Sequence, residues 1–189
     1  MLIQDRIMAS HKKAVTQDYL NHAAQYYLAR YASSRENLRN VLMRKVESRL
    51  KQAVKLNPDE DIHEAEYYAP LVDKTIDIFE KAGLLNDKNY AEMRTATLQA
   101  RGMSGHMIRL KLSAKGIDRD MIRQILDEAA ENGYDDRQAA CKYAQRRKLG
   151  GYRTDGKEEN HRKDLARMMR VGFSYEDSCF ALNPDDWPE

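Results

Sequence analysis

Residues 83–133 read GLLNDKNYAEMRTATLQARGMSGHMIRLKLSAKGIDRDMIRQILDEAAENG, three helical runs punctuated by glycine. Asp87 to Arg101 and Ser104 to Lys115 are rich in helix-favouring side chains, and Gly102 with Gly105 breaks one run from the next. Gly116 closes the second run, because a helix commonly ends on a residue in the left-handed region. From about Asp118, Ile122, Ile125, Leu126 and Ala129 recur at i, i+3, i+4 and i+7, the spacing of one buried helical face, and Gly133 ends the run. Acidic residues open this third helix, where the positive end of the helix dipole favours them.

Comparing the chain with itself at an offset of about fifty residues extends the pattern. Ile76, Gly83 and Asn86-Asp87-x-x-Tyr90-Ala91 align with Leu126, Gly133 and Asp135-Asp136-x-x-Ala139-Ala140. Arg101-Gly102 falls in step with Gly150-Gly151, and Ala114-Lys115-Gly116-Ile117 with Arg170-Val171-Gly172-Phe173; Arg44-Lys45-Val46 is a weaker counterpart in the first unit. The fold expected is all-α, an elongated and curved array of tandem three-helix repeats at about 22–86, 87–136 and 137–183. Residues 1–21 are read as an N-terminal extension and 184–189 as a loose tail.

Leu20, Ala23, Ala24, Tyr27, Leu28 and Tyr31 trace an amphipathic helix. Leu38, Leu42, Val46, Leu50 and Val54 trace a long second one, with Arg44, Ser48, Lys51 and Lys55 on a separate polar stripe. Asn57-Pro58-Asp59-Glu60-Asp61 has the composition of a helix start. Val72, Ile76 and Phe79 belong to a third helix that Pro70 starts or kinks. Downstream, Asp136 to Lys148, His161 to Arg170 and Tyr175 to Leu182 are helical, with a polar stretch from Gly150 to Asn160.

The chain has 189 residues, 33% of them charged, with a net charge of +2. That small total conceals alternation: residues 10–56 and 101–153 are basic, whereas 57–100 and 154–189 are acidic. Such blocks are either solvated helix faces or sites for acidic partners. No apolar run reaches the length of a membrane helix and the start lacks the pattern of a signal peptide, so a cytoplasmic protein with no membrane partner is expected. Cys141 and Cys179 are the only cysteines and stand outside any C-x-x-C, which favours core thiols over a disulfide framework.

Catalytic motifs are not supported. His63-Glu64-Ala65-Glu66-Tyr67 begins like H-E-x-x-H but places Tyr67 where the second imidazole is needed. Gly102-Met103-Ser104-Gly105 lacks the spacing and the lysine of a phosphate-binding loop. Asp135-Asp136 and Asp59-Glu60-Asp61 sit where carboxylates cap helices, and the five histidines form no metal spacing. No enzyme activity, metal or cofactor is expected.

What remains is cationic: Arg30, Arg35 and Arg39; Arg101, Arg109, Lys111 and Lys115; and Arg146, Arg147, Lys148 and Arg153. Guanidinium forks suit phosphates and carboxylates alike. Arg109 shares a polar face with His106 and Ser113, opposite Met103, Met107 and Leu110. Tyr26, Tyr27, Tyr31, Tyr90, Tyr134 and Tyr143 suit core packing better than base stacking.

Three stretches carry a resemblance to a known family. They are Gly83-Leu84-Leu85-Asn86-Asp87-x-x-Tyr90-Ala91; Gly102-Met103-Ser104-Gly105-His106-Met107-Ile108-x-x-x-Leu112-x-x-Lys115-Gly116-Ile117; and Tyr27-Leu28-x-Arg30-Tyr31-x-Ser33-Ser34-x-Glu36-x-Leu38-x-x-x-Leu42-x-Arg44-Lys45. In order and spacing the chain resembles the RecX regulators of the recombinase RecA, over about residues 20 to 136 and more faintly beyond. It departs at Val46, where a glycine is usual, at Met103-Ser104, where Gly-Pro is commoner, and in apparent insertions at 54–70 and 150–160. The resemblance implies a non-enzymatic modulator that lies in the groove of a RecA filament and restrains ATP hydrolysis, strand exchange and coprotease activity. Arg30, Arg35, Arg39, Arg101, Arg109, Lys111, Lys115, Arg146, Arg147 and Arg153 are then the expected contact residues of a monomer. The alternative is a helical module that binds single- or double-stranded DNA directly through its basic blocks.

Overall fold

The computed structural model describes residues 15–56 and 63–183. The expected helix start at Asn57 to Asp61 and the tail from 184 lie outside the described residues. Every regular element described is helical. The chain divides into two compact units, with the boundary after Asp87.

In the first unit, α1 (Gln17–Leu28), α2 (Arg35–Leu56) and α3 (Ala69–Lys81), with a short 3-10 turn at Ala65–Tyr68, enclose one core. The Thr16 hydroxyl accepts from the Tyr19 N–H at the start of α1, so the helix opens inside the segment expected to be an extension, and Val15 is already buried. Pro70 stands in the first turn of α3, where its missing N–H costs nothing. Leu38, Leu42 and Val46 are fully buried, Leu50 is half-buried and Val54 is exposed. The expected stripe therefore runs out along α2. Its 22 residues outreach the 12 of α1 and the 13 of α3, so among the described residues its last turn extends beyond both.

In the second unit, α4 (Asp87–Ala100, opening at the boundary), α5 (Gly105–Ser113) and α6 (Arg119–Glu131) surround Ala91, Leu98, Ile108, Leu112, Ile117, Ile122, Ile125 and Leu126. The helices α7 (Asp136–Arg147), α8 (Lys157–Arg170) and α9 (Tyr175–Leu182), with a 3-10 turn at Gly150–Tyr152, surround a further core that includes Ala139, Ala140, Ala144, Met168 and Leu182. Three small side chains on α7 let α9 lie close against it.

One helix ending recurs through both units. The N–H groups of Leu84, Met103, Ile117, Tyr134, Leu149 and Phe173 each donate to the carbonyl five residues earlier, as in a Schellman motif. The preceding residue always has positive φ: Gly83, Gly102, Gly116, Gly133, Lys148 and Gly172. This register corrects the alignment of Arg101-Gly102 with Gly150-Gly151, since the counterpart of Gly102 is Lys148 and that of Met103 is the buried Leu149. Lysine hid the stop because its chemistry does not announce a left-handed backbone.

Further corrections concern the turns. Gly105 is the first residue of α5 rather than a breaker, with Ser104 as its N-cap. The polar stretch expected to run from Gly150 to Asn160 is shorter, since α8 begins at Lys157 rather than at His161. On α5 the buried stripe is Ile108 and Leu112, and Leu110 is exposed beside Arg109. Tyr26 and Tyr31 are exposed rather than packed, whereas Tyr143 is buried.

Candidate functional site

The expected contact residues fall into two groups. In the first unit, Arg35 pairs with Asp77 at 2.8 Å and with Glu80, and Arg39 pairs with Asp73 at 2.9 Å, so both guanidinium groups join α2 to α3. Hydrogen bonding to Asp77, more than any other influence, holds Arg35 firmly in its charged form. Arg30 donates to the Tyr26 carbonyl at 3.0 Å and lies 3.6 Å above the Tyr26 ring, closing its own helix end. Arg153 is likewise engaged internally, by the buried Asp164. These four side chains do structural work within the fold.

The second group is different. Gly102 lies against α7 so closely that a β-carbon there would be 3.0 Å from the Ala139 carbonyl oxygen, from Lys142 Cβ and from the Tyr143 nitrogen. Arg146 donates from Nη1 to the Arg101 carbonyl at 2.8 Å across the same junction. Three exposed cations, Arg101, Lys142 and Arg146, therefore surround the close approach of the turn after α4 to α7. Lys142 was missed in the sequence, although it precedes Arg146 by one helical turn and shares its face. Arg147 lies 5.8 Å from the Tyr143 ring and is exposed.

Beside this cluster α5 is held at its N-terminus by three contacts. The Ser104 hydroxyl accepts from the Met107 N–H and donates to the Val171 carbonyl at 2.6 Å, and the Gly105 N–H donates to Asp136 Oδ1 at 2.8 Å. A β-carbon at Gly172 would clash with the His106 ring, so these two residues also touch. The Tyr134 hydroxyl, 2.5 Å from the Met103 carbonyl and 2.8 Å from Asp136, stays protonated far up the pH scale, first through burial and then through that carboxylate. The anchored helix presents Arg109 and Leu110 to solvent, with Lys111 and Lys115 half-buried.

The same device recurs at the first unit's end, where Asp87 accepts the Arg35 N–H at 2.7 Å, as Asp136 accepts that of Gly105. Asp136 thus clasps a neighbouring helix, whereas Asp135 caps its own. His63 and Tyr67 stack at 3.9 Å, and among the described residues no group of three or more His, Cys, Asp or Glu side chains converges for a metal. Burial raises the Cys141 thiol above its ordinary pKa, which does not favour a reactive thiolate. No helix among the described residues is long and apolar enough to cross a membrane.

Residues 86–126 match the family model described as RecX, second three-helix domain. The chain is 34% identical over 166 residues to the regulatory protein RecX of Myxococcus xanthus (strain DK1622), a match that covers 86% of this chain and 83% of the relative. It is 28% identical over 159 residues to the regulatory protein RecX of Agrobacterium fabrum (strain C58), covering 84% and 78%. Among solved structures, that of RecX from Lactobacillus salivarius is similar in fold, with a TM-score of 0.58 and 23% identity over 90% of this chain and 96% of the other. The similarity to the Myxococcus protein extends over all the helices that build the cationic surface, and the chain belongs to the RecX family of regulatory proteins.

Proposed function

We propose that this protein regulates the RecA recombinase by binding its filament on single-stranded DNA. There it restrains ATP hydrolysis, strand exchange and coprotease activity, and so modulates homologous recombination, DNA repair and the SOS response. The reading is carried by a family match over most of the chain that coincides with an unneutralised basic surface on α4, α5 and α7. Among the described residues, Arg101, Arg109, Lys111, Arg146 and Arg147 pair with no carboxylate, in contrast to Arg35, Arg39 and Arg153.

In this proposal Arg101, Arg109, Lys111, Lys115, Arg146 and Arg147 meet acidic surfaces of the filament, and complementary charge speeds encounter and sets register. The protein acts by occupancy rather than catalysis, as a cytoplasmic monomer. Its repeats divide near 87 and 137, with the first beginning close to Val15, because each helix trio encloses its own core.

The test is single-strand-DNA-dependent ATP hydrolysis by the RecA of the same organism, with and without substoichiometric amounts of this protein. Inhibition is expected while free DNA remains in excess. Inhibition that disappears once added DNA saturates the protein would instead favour direct DNA binding, which also predicts affinity falling steeply with salt.

A further inference from the structure

Beside the junction of α4 and α7, the third helix trio carries a groove of about 610 Å³, within the size range of small-ligand and side-chain pockets. Gln138, Cys141, Lys142 and Gln145 of α7 form its floor, at i, i+3, i+4 and i+7, and Tyr152 and Phe180 form an apolar wall. On the opposite side of Lys142 stands the cationic pair of Arg101 and Arg146.

The acidic groups nearby are already committed. Asp135 accepts the N–H groups of Arg137 and Gln138 at the start of α7. Glu176 and Asp177 hold the Arg137 guanidinium at 2.5 and 3.1 Å, which itself lies 4.9 Å from the Phe180 ring. Lys142, Arg146 and Arg101 have no carboxylate partner among the described residues. Asp135 and Arg137 line the groove at the start of α7, and Lys142 with Arg146 and Arg101 makes the rim further along the helix positive, so an apolar cleft adjoins one cationic side.

We propose that it takes an acidic segment of a partner protein bearing one aromatic or large aliphatic side chain. That side chain enters between Cys141, Tyr152 and Phe180, and the flanking carboxylates meet Lys142, Arg146 and Arg101. A central apolar anchor ringed by charge is the usual economy of a binding hot spot. The inference deepens the regulator reading, since it rests on the second and third helix trios facing the partner and specifies the chemistry recognised there.

The test uses the whole protein without recombinase and a fluorescein-labelled peptide of Asp and Glu residues around a central Trp, read by anisotropy. The Trp peptide is expected to bind about tenfold more tightly than its Ser counterpart, and Lys142→Glu with Arg146→Glu to remove about tenfold in affinity. Gln145→Trp, which fills the groove from an exposed position, should weaken binding without unfolding the protein. Saturating peptide should slow alkylation of Cys141 and leave Cys179 unaffected, read by mass spectrometry. Equal binding of both peptides, unprotected Cys141, or tighter binding of oligothymidylate would overturn the proposal. Failure here with RecA inhibition intact leaves the regulator reading standing, and loss of inhibition with peptide binding intact defeats that reading alone.

Discussion

Arg153 grips Asp164 with two hydrogen bonds, Nε to Oδ2 at 2.6 Å and Nη2 to Oδ1 at 2.7 Å, and the carboxylate is only 3% exposed. Oδ2 also accepts the Gly150 N–H at 2.9 Å, so one carboxylate ties the turn at Gly150–Tyr152 to α8. Three charge-assisted bonds offset the desolvation of a buried charge, which would otherwise be among the costliest features of the fold.

Removing one partner leaves the other stranded. Arg153→Ala is expected to lower the midpoint of urea denaturation clearly, because the buried carboxylate loses its counter-charge. The Arg153 bond also holds the Asp164 carboxyl below the usual carboxylate range. A depressed folded value means that this stabilisation is complete above the unfolded pKa of about 3.9 and is lost as pH falls through the folded value. The stability gap between the wild type and Asp164→Asn should therefore be widest near neutrality and close in acid. A gap that persists unchanged in acid would show that the ion pair is not its source.

Lys148 ends α7 at φ 53° and ψ 54°, the only residue other than glycine with positive φ among the described residues. Relieving the Cβ strain, Lys148→Gly should stabilise the protein by about 1 kcal/mol. A rise in thermal midpoint by calorimetry checks it; a fall would mean that the exposed lysine contributes contacts the backbone does not reveal.

Gly83 and Gly150 both have positive φ but different surroundings. A β-carbon at Gly83 meets nothing within 4 Å, whereas at Gly150 it would stand 2.7 Å from Leu182 Cα. Gly83→Ala should cost about 1 kcal/mol from backbone conformation alone. Gly150→Ala should cost several times more, since α9 must move away, and chemical denaturation of the two variants side by side measures the difference.

Charge reversal at Arg101 and Arg109 together should weaken inhibition of RecA ATP hydrolysis by about tenfold or more, with the circular dichroism spectrum and melting temperature unchanged. Reversal at Arg39, whose guanidinium is engaged with Asp73, should instead act mainly on the stability of the first unit. Unaltered inhibition by the first variant would remove α4 and α5 from the contact surface.

The helices were legible because their signals are local. Apolar spacing around Ile122 and Leu126 and a left-handed stop at Gly133 lie within one turn of the structure they specify. The fate of the arginines was not. Arg35, Arg39 and Arg153 looked as available as Arg101, yet Asp77, Asp73 and Asp164 reach them from other elements, 42, 34 and 11 positions away along the chain. Lys142 drew no notice because its place beside Arg101 comes from Gly102, a neighbour supplied by a distant turn.

Sequence alone therefore determined an all-helical chain of repeated trios, since periodicity, caps and glycine stops act over a few residues. Tertiary structure alone decided which cations are consumed within the fold and which remain on its surface. That division depends on the approach of side chains from separate helices, and pairing over such separations leaves no mark in the order of the residues.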